Sequence, residues 1–272
     1  MRLARRPLLG RGTKAIDVVR GLGLTNGLKL VLDAGDPLSY SHHVAGQVWL
    51  DRSGNGYDFN RGATAVDTTP DPTFATAGAL GRNSYWSFDG GDYFTYDSAN
   101  EQWMKNMHAD NALLTCVFWF FSAAATTRAL WGNNGGAGTT GTGTHFGVAD
   151  TNELFFRAVN ATASVLSIFG PATVRPVTTW NCVGVSVNEA AGAGGSQWFV
   201  NGVSTAFDAT YSSPALSSTD SSRIFQIGAR GNASAPMSAS DRISMALFWE
   251  GVALTGQQMS KVFEATRRRF GV

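Results

Sequence analysis

The chain has 272 residues, of which 43% are hydrophobic, 11% aromatic and 15% charged, and its formal net charge is +1. Low charge with many aromatics and 32 Gly excludes a disordered chain, which needs the reverse balance. Near-neutrality excludes nucleic-acid binding by overall electrostatics, and no run approaches the ~18 apolar residues of a membrane span.

Residues 1–26, MRLARRPLLGRGTKAIDVVRGLGLTN, read as a basic arm carrying Arg2, Arg5, Arg6, Arg11, Lys14 and Arg20, with Asp17 as its one acid. The pattern predicts a short helix over 13–19 with Thr13 as its cap. Ile16, Val18, Val19 and Leu22 make the arm too apolar for a solvated tail, so it packs on a partner or back on its own domain. Its leading apolar part is only Pro7 to Gly10, which is not a secretion signal. Synthesis in a cytosol without export is therefore expected. The domain proper is expected over 27–272.

Leu28, Leu30 and Leu32 alternate with Lys29, Val31 and Asp33, a strand period. QVWLDRSGNGYDF (47–59) places a Ser-Gly-Asn-Gly turn between two short runs. Residues 68–81 read as a connector bearing Pro and Thr. SYWSFDGGDYFTY (84–96) reads as a hairpin about Asp89-Gly-Gly-Asp92. Trp103, Met104 and Met107 mark a short helix within 98–108. ALLTCVFWFF (112–121) is apolar almost throughout, as in a strand buried on both faces. A short strand at 129–131 precedes GNNGGAGTTGTGT (132–144), whose composition predicts an exposed tip. His145 to Val148 and Leu154 to Val159 form a hairpin, and TWNCVGVSV (179–187) alternates cleanly.

QWFVNGVSTAF (197–207) is the strongest local signal. Asn201-Gly202 between β-prone runs predicts a type I′ hairpin with Val200 opposite Val203 and Trp198 opposite Thr205. Strands follow at 223–229 and 242–250. A helix closes the chain, with Thr255 and Gln258 as a capping box and Leu254 and Met259 as a staple. Arg267 to Arg269 fall in its last turn. Cys116 and Cys182 sit in apolar runs and read as buried free thiols; pairing them would need Cα atoms within about 7 Å.

Chemistry-bearing constellations are few. The five Glu (Glu101, Glu153, Glu189, Glu250, Glu264) have no acid at i+2 or i+5, which excludes the paired-carboxylate strand of a glucanase. Asp51-Arg-Ser-Gly-Asn-Gly starts like a calcium loop, but Gly62 occupies the twelfth position. A turn held by Asp51, Ser53 and Asn55 accounts for it. No metal site or cofactor is called for, with calcium at Asp89, Asp92 and Asp241 as the alternative. His42, His43, His108 and His145 show no ligand spacing. Trp131 and Trp180, placed near strand ends, are the candidates for stacking on a sugar, against a core role for each.

The ordered pieces GLKLVLDAGDP, WLDRSGNGYDF, YWSFDGGDYFTY, TCVFWFF, VTTWNCVGVSVN, QWFVNGVSTAF, IFQIGAR and ISMALFWEGVALTGQQMSKVF resemble the concanavalin A-like, laminin-G-like jelly rolls. The resemblance spans 27–265. It implies an all-β, two-sheet antiparallel jelly-roll sandwich with a short C-terminal helix and a basic N-terminal arm. The opening LDAGDP…WLDRSGNG, with a basic arm, resembles jelly-roll proteins of tailed bacteriophages. That implies a non-enzymatic virion structural protein, a head or tail decoration or fibre-like attachment, made in the bacterial cytoplasm. Arg2, Arg5, Arg6, Arg11 and Lys14 would anchor it to other virion proteins. Host surface glycans are a further partner, and the alternative function is a carbohydrate-binding module. Nucleic acid and membrane are not expected partners, and a homo-oligomer is compatible with the reading.

Overall fold

The computed structural model describes residues 13–40, 46–64, 66, 68–76, 83–96, 101–135, 141–160, 163–170, 176–205 and 220–272. Sixteen strands among them form two antiparallel sheets. The first sheet contains β1 (Leu28–Asp33), β4 (Thr73–Thr76), β5 (Ser84–Ser87), β7 (Leu113–Phe121), β12 (Trp180–Asn188), β13 (Gln197–Val200), β14 (Val203–Thr205) and β16 (Arg242–Glu250). Its order is β14-β13-β12-β7-β16-β5-β4, with β1 also on β16. The second contains β2 (Val48–Trp49), β3 (Phe59–Arg61), β6 (Phe94–Tyr96), β8 (Arg128–Gly132), β9 (Gly143–Val148), β10 (Leu154–Asn160), β11 (Ala163–Phe169) and β15 (Gln226–Ile227). Its order is β11-β10-β9-β8-β15-β6-β3-β2.

The main core lies between the sheets. Leu114, Cys116, Phe118 and Phe120 of β7 meet Phe146, Phe156, Trp131 and Phe225 there. The other face of β7 is also buried. Val117 and Trp119 pack beneath α1 (Ala15–Gly21) and α3 (Gly256–Thr266) in a second cluster with Ile16, Val19, Leu247, Trp249, Met259 and Phe270. This third layer is why β7 is apolar at successive positions, since a strand with one wet face would alternate. The two fully buried indoles of the layer are satisfied: Trp119 Nε1 donates to Thr266 Oγ1 (2.8 Å) and Trp249 Nε1 to the Leu24 carbonyl (2.7 Å). Burying each such side chain contributes ~1.5–3 kcal/mol.

The described part of the basic arm packs back on its own domain. Ala15, Ile16, Val18 and Val19 are buried, and Ile16 and Val19 pack in the second cluster on the outer face of the first sheet. The helix is capped by position rather than by side chain: Lys14, not Thr13, is its N-cap residue. Buried Asp33 ties both chain ends together. Its Oδ2 accepts from Ala15 N (2.9 Å) and its Oδ1 pairs with Arg269 (2.6 Å). Arg269 thus serves a buried ion pair more than the helix dipole.

The Asn201-Gly202 hairpin has the predicted register, with φ of 51° and 79° at the turn. The capping box at Thr255 and Gln258 is present. The Asp51 turn is held as expected: Asp51 Oδ1 accepts from Val31 N (2.9 Å) and Ser53 N (2.8 Å). Two readings differ. Residues 84–96 are not a hairpin, because β5 joins the first sheet and β6 the second. Trp86 and Phe94 face one core from opposite sheets, with ring centroids 5.0 Å apart, so the Asp89–Asp92 turn crosses the sandwich. Strands β4 and β11 were not foreseen.

The two cysteines are free and lie on opposite faces of the first sheet, Cys116 in the main core and Cys182 under the helices. Burial pushes the Cys116 thiol up to about 12.

Candidate functional site

Antiparallel partners point to the same face of a sheet, so register identifies which side chains share a surface. On the second sheet one such line runs across seven strands: Ser167 (β11), Arg157 (β10), His145 (β9), Gly132 (β8), Gln226 (β15), Thr95 (β6) and Asn60 (β3). The adjacent line, Ile168, Phe156, Phe146, Trp131, Ile227 and Phe94, faces the core. The face away from the core therefore carries a continuous polar row, interrupted only by a glycine.

Gly132 is there for close approach. A Cβ at that position would lie 2.9 Å from His145 Cβ and 3.3 Å from Arg230 Cα, so glycine lets the segment around Arg230 settle on the row. The same segment donates Ala233 N to Gln226 Oε1 (2.9 Å). Arg157 stands cross-strand from His145, its guanidinium 5.0 Å from the Phe169 ring and 5.7 Å from Phe155. Phe155 in turn meets His145 edge-on at 5.5 Å.

His145 is fully buried, and neither ring nitrogen has a hydrogen-bond partner among the described residues. Burial first, then Arg230 and Arg157, push its pKa well below the usual value, so the imidazole is neutral at pH 7. A neutral ring offers one donor and one acceptor. Leaving such groups unpaired costs about 1–3 kcal/mol each. Asn134 adds a buried amide with neither polar atom partnered among the described residues, while Asn133 Oδ1 accepts from Thr144 N (2.7 Å).

Beyond the ends of β8 and β9 opens a cleft of about 320 Å³, walled by Gly135, Gly141, Ser222 and Arg223. Both glycines are required by the wall. A Cβ on Gly135 would meet Arg223 Nε at 2.7 Å, and one on Gly141 would meet Ser222 Oγ at 2.5 Å. The Arg223 side chain is exposed. The ends of the 132–144 stretch are thus not an exposed tip: Asn133, Asn134 and Thr144 are buried at the strand ends. Residues 136–140 lie outside the described residues.

The residues singled out from sequence fall elsewhere. Trp131 is fully buried and stacks on Phe225 (5.2 Å, 10°), so it is a core side chain. Trp180 is half-buried on the outer face of the first sheet, against Phe121 (6.0 Å), Tyr85 (5.9 Å) and Phe270 (5.1 Å). Arg242 lies between Tyr85 and Phe121, 4.7 and 4.6 Å from their rings. Lys14 pairs with Asp36 (2.9 Å). Arg2, Arg5, Arg6 and Arg11 lie outside the described residues, as do His42 and His43.

The calcium alternative fails. Asp241 is committed to a fully buried ion pair with Arg128 and accepts from Ala123 N (2.7 Å) and Ser238 N (2.8 Å). No group of three His, Cys, Asp or Glu able to hold a metal occurs among the described residues. Asp92 accepts from Asp89 N (2.8 Å) within its turn. Burial and the Asp89 charge raise its pKa to about 7.

No protein-family model matches the chain, and no curated protein does. Solved structures do. The Trypanosoma rangeli sialidase in complex with sialic acid aligns with a TM-score of 0.52 at 16% identity, over 89% of this chain and 33% of the sialidase. The binding domain of botulinum neurotoxin DC in complex with SialylT aligns at 0.53 and 11%, over 89% and 52% of the respective chains. Botulinum neurotoxin type C, whose cell entry depends on interaction with two ganglioside molecules, aligns at 0.52 and 13%, again over 89% and 52%. At such identities the likeness is one of fold, a two-sheet antiparallel β-sandwich, and the chain spans a third to a half of each of these proteins.

Proposed function

We propose that the chain is a non-catalytic glycan-binding domain whose site is the cleft beyond the ends of β8 and β9, at the edge of the polar row of the second sheet. The observation that carries this is the cleft of about 320 Å³, with the exposed side chains of Ser222 and Arg223 on its wall. A sugar presents hydroxyls that both donate and accept, which suits side chains of that kind. The lectin-like fold of the neighbours, several of them described with sialylated or ganglioside ligands, supports the reading by analogy. Sialidase chemistry does not transfer with it, since the overlap is one third of that enzyme. Among the described residues, no Asp or Glu lines the cleft. Screening the full chain on a glycan array, then titrating the hits by calorimetry, tests the proposal. Absence of any hit at high protein concentration overturns it.

A second reading places this domain on a virion. It is favoured by the density of Arg2, Arg5, Arg6 and Arg11 ahead of the packed helix α1. Lys14 is occupied by Asp36, so the anchoring segment in this reading is 1–12. Deleting 1–12 should leave stability unchanged and abolish incorporation into particles. Incorporation at the full level would refute the anchor.

A further inference from the structure

We propose that the outer face of the first sheet is a docking site for an acidic segment of a partner protein, with a partner carboxylate on the edge of Arg242 and an apolar side chain against Phe121 and Trp180. The site is separate from the cleft and does not rest on the glycan reading. Register places Thr73 (β4), Ser87 (β5), Arg242 (β16), Phe121 (β7) and Trp180 (β12) in one line. Their chain neighbours Trp86, Ile243 and Phe120 face the main core, so this line faces outward. The helices cover the same face further along, over Val117 and Trp119. Phe270 borders the line at Trp180 (5.1 Å), and Tyr85, Arg242 and Phe121 beyond it are half-buried. Tyr85, two residues from Ser87, shares the face. Four groups close on one another there. The Arg242 guanidinium lies 4.7 Å from the Tyr85 ring and 4.6 Å from the Phe121 ring, while Trp180 meets Phe121 at 6.0 Å and Tyr85 at 5.9 Å.

With a ring from each flanking strand, the part of the guanidinium left for hydrogen bonding is its N–H edge. Among the described residues Arg242 has no hydrogen-bond or ionic partner, nor do Trp180 Nε1 and the Tyr85 hydroxyl, and none of these atoms is sealed from solvent. A guanidinium held by rings is in place before a partner arrives, and its fork takes both oxygens of a carboxylate. The indole adds a donor and ring surface. The cluster is thus the complement of an acid set beside an apolar side chain, and Tyr, Trp and Arg are the side chains that most often dominate protein contacts. Charge disfavours two occupants from this chain. A second copy docked by the same patch would bring the two Arg242 together. The stretch 1–12 carries Arg2, Arg5, Arg6 and Arg11 and no acid. A nucleic-acid backbone is matched by several cations, whereas Arg242 is the one cation of the line.

The test pans a random peptide display library against the full chain, with Arg242→Gln protein in solution as competitor. The enriched peptides should carry Asp or Glu next to an aromatic or aliphatic residue. The leading peptide, synthesised and titrated by calorimetry, should bind Arg242→Gln ~10-fold or more weakly than the wild type, and changing its acid to the amide should cost as much. Ser87→Glu sets an acid cross-strand from Arg242 and occupies the guanidinium without removing it. It should weaken the peptide to the same degree even if Arg242→Gln folds poorly. Glycan titrations should be unchanged in both variants, which keeps this outcome distinct from that at the cleft. Enriched peptides without an acid, or equal binding to both variants, would overturn the proposal, as would recovery of no peptide. A single-stranded oligonucleotide that binds the wild type and not Arg242→Gln would overturn it in favour of a nucleic acid.

Discussion

Replacing Asp92 with Asn should stabilise the protein at neutral and alkaline pH. Asp92 is 2% exposed and its pKa is raised to about 7, chiefly by burial and then by Asp89. An Asp that ionises near 3.9 when unfolded but near 7 when folded adds stability that is complete below pH ~4 and is lost as pH rises to ~7. Roughly three units at 1.36 kcal/mol set a ceiling of ~4 kcal/mol. Asp89 is solvent-exposed and its charge is screened, so about 2 kcal/mol is the expected loss. Asn keeps an oxygen for the Asp89 N–H and brings no charge that burial or Asp89 opposes. Urea unfolding of both proteins at half-unit steps from pH 4 to 8 measures the difference. The two curves should nearly coincide at pH 4 and diverge in favour of Asn up to pH ~7, then run parallel. A constant difference across that range, or one favouring Asp at pH 8, would refute the reasoning.

Three further substitutions separate packing from binding. Arg128→Met strips the fully buried Asp241 of its cation and should cost about 3–5 kcal/mol in chemical denaturation, far more than an exposed pair would. Gly202→Val should cost about 2–3 kcal/mol, because φ is 79° and a Cβ would sit 2.7 Å from Phe263 Cδ1; near-wild-type unfolding would contradict the turn assignment. Trp180→Ala should lower stability by about 2 kcal/mol, half the usual cost for a buried Trp, and leave glycan titrations unchanged. Loss of binding instead would move the site to the first sheet.

What the sequence states about the fold is what neighbouring residues decide. The Asn201-Gly202 hairpin is legible to the register because the turn dihedrals and two flanking runs are enough to specify it. The capping box is legible for the same reason, as four consecutive positions contain it. Asp89-Gly-Gly-Asp92 misleads by the same local logic. It is a turn between two aromatic runs, but nothing nearby says that Trp86 and Phe94 approach one core from different sheets. The continuous apolar run of β7 announces burial on both faces without saying that α1 and α3 supply the second cover. Only the contacts of Ile16 and Val19 with the second cluster turn the apolar side of the arm into part of the domain.

The site is less legible for a physical reason. Each strand contributes one polar residue to the row, and in its own strand that residue is an ordinary outward position. His145 has no ligand spacing, and Arg157 is one cation in an apolar run. Register alone aligns Ser167, Arg157, His145, Gly132, Gln226, Thr95 and Asn60, whose separations in the chain follow no motif. The one local clue is Gly132, a glycine directly after Trp131 at a strand end, where a residue with a Cβ would hold Arg230 away from His145. Trp131 stands out in the sequence because a Gly-rich stretch follows it, yet the tryptophan turns into the core and Gly132 lies on the opposite face. In a sandwich of this kind, binding chemistry is written across strands rather than along them, so it becomes visible only when the pairing is known.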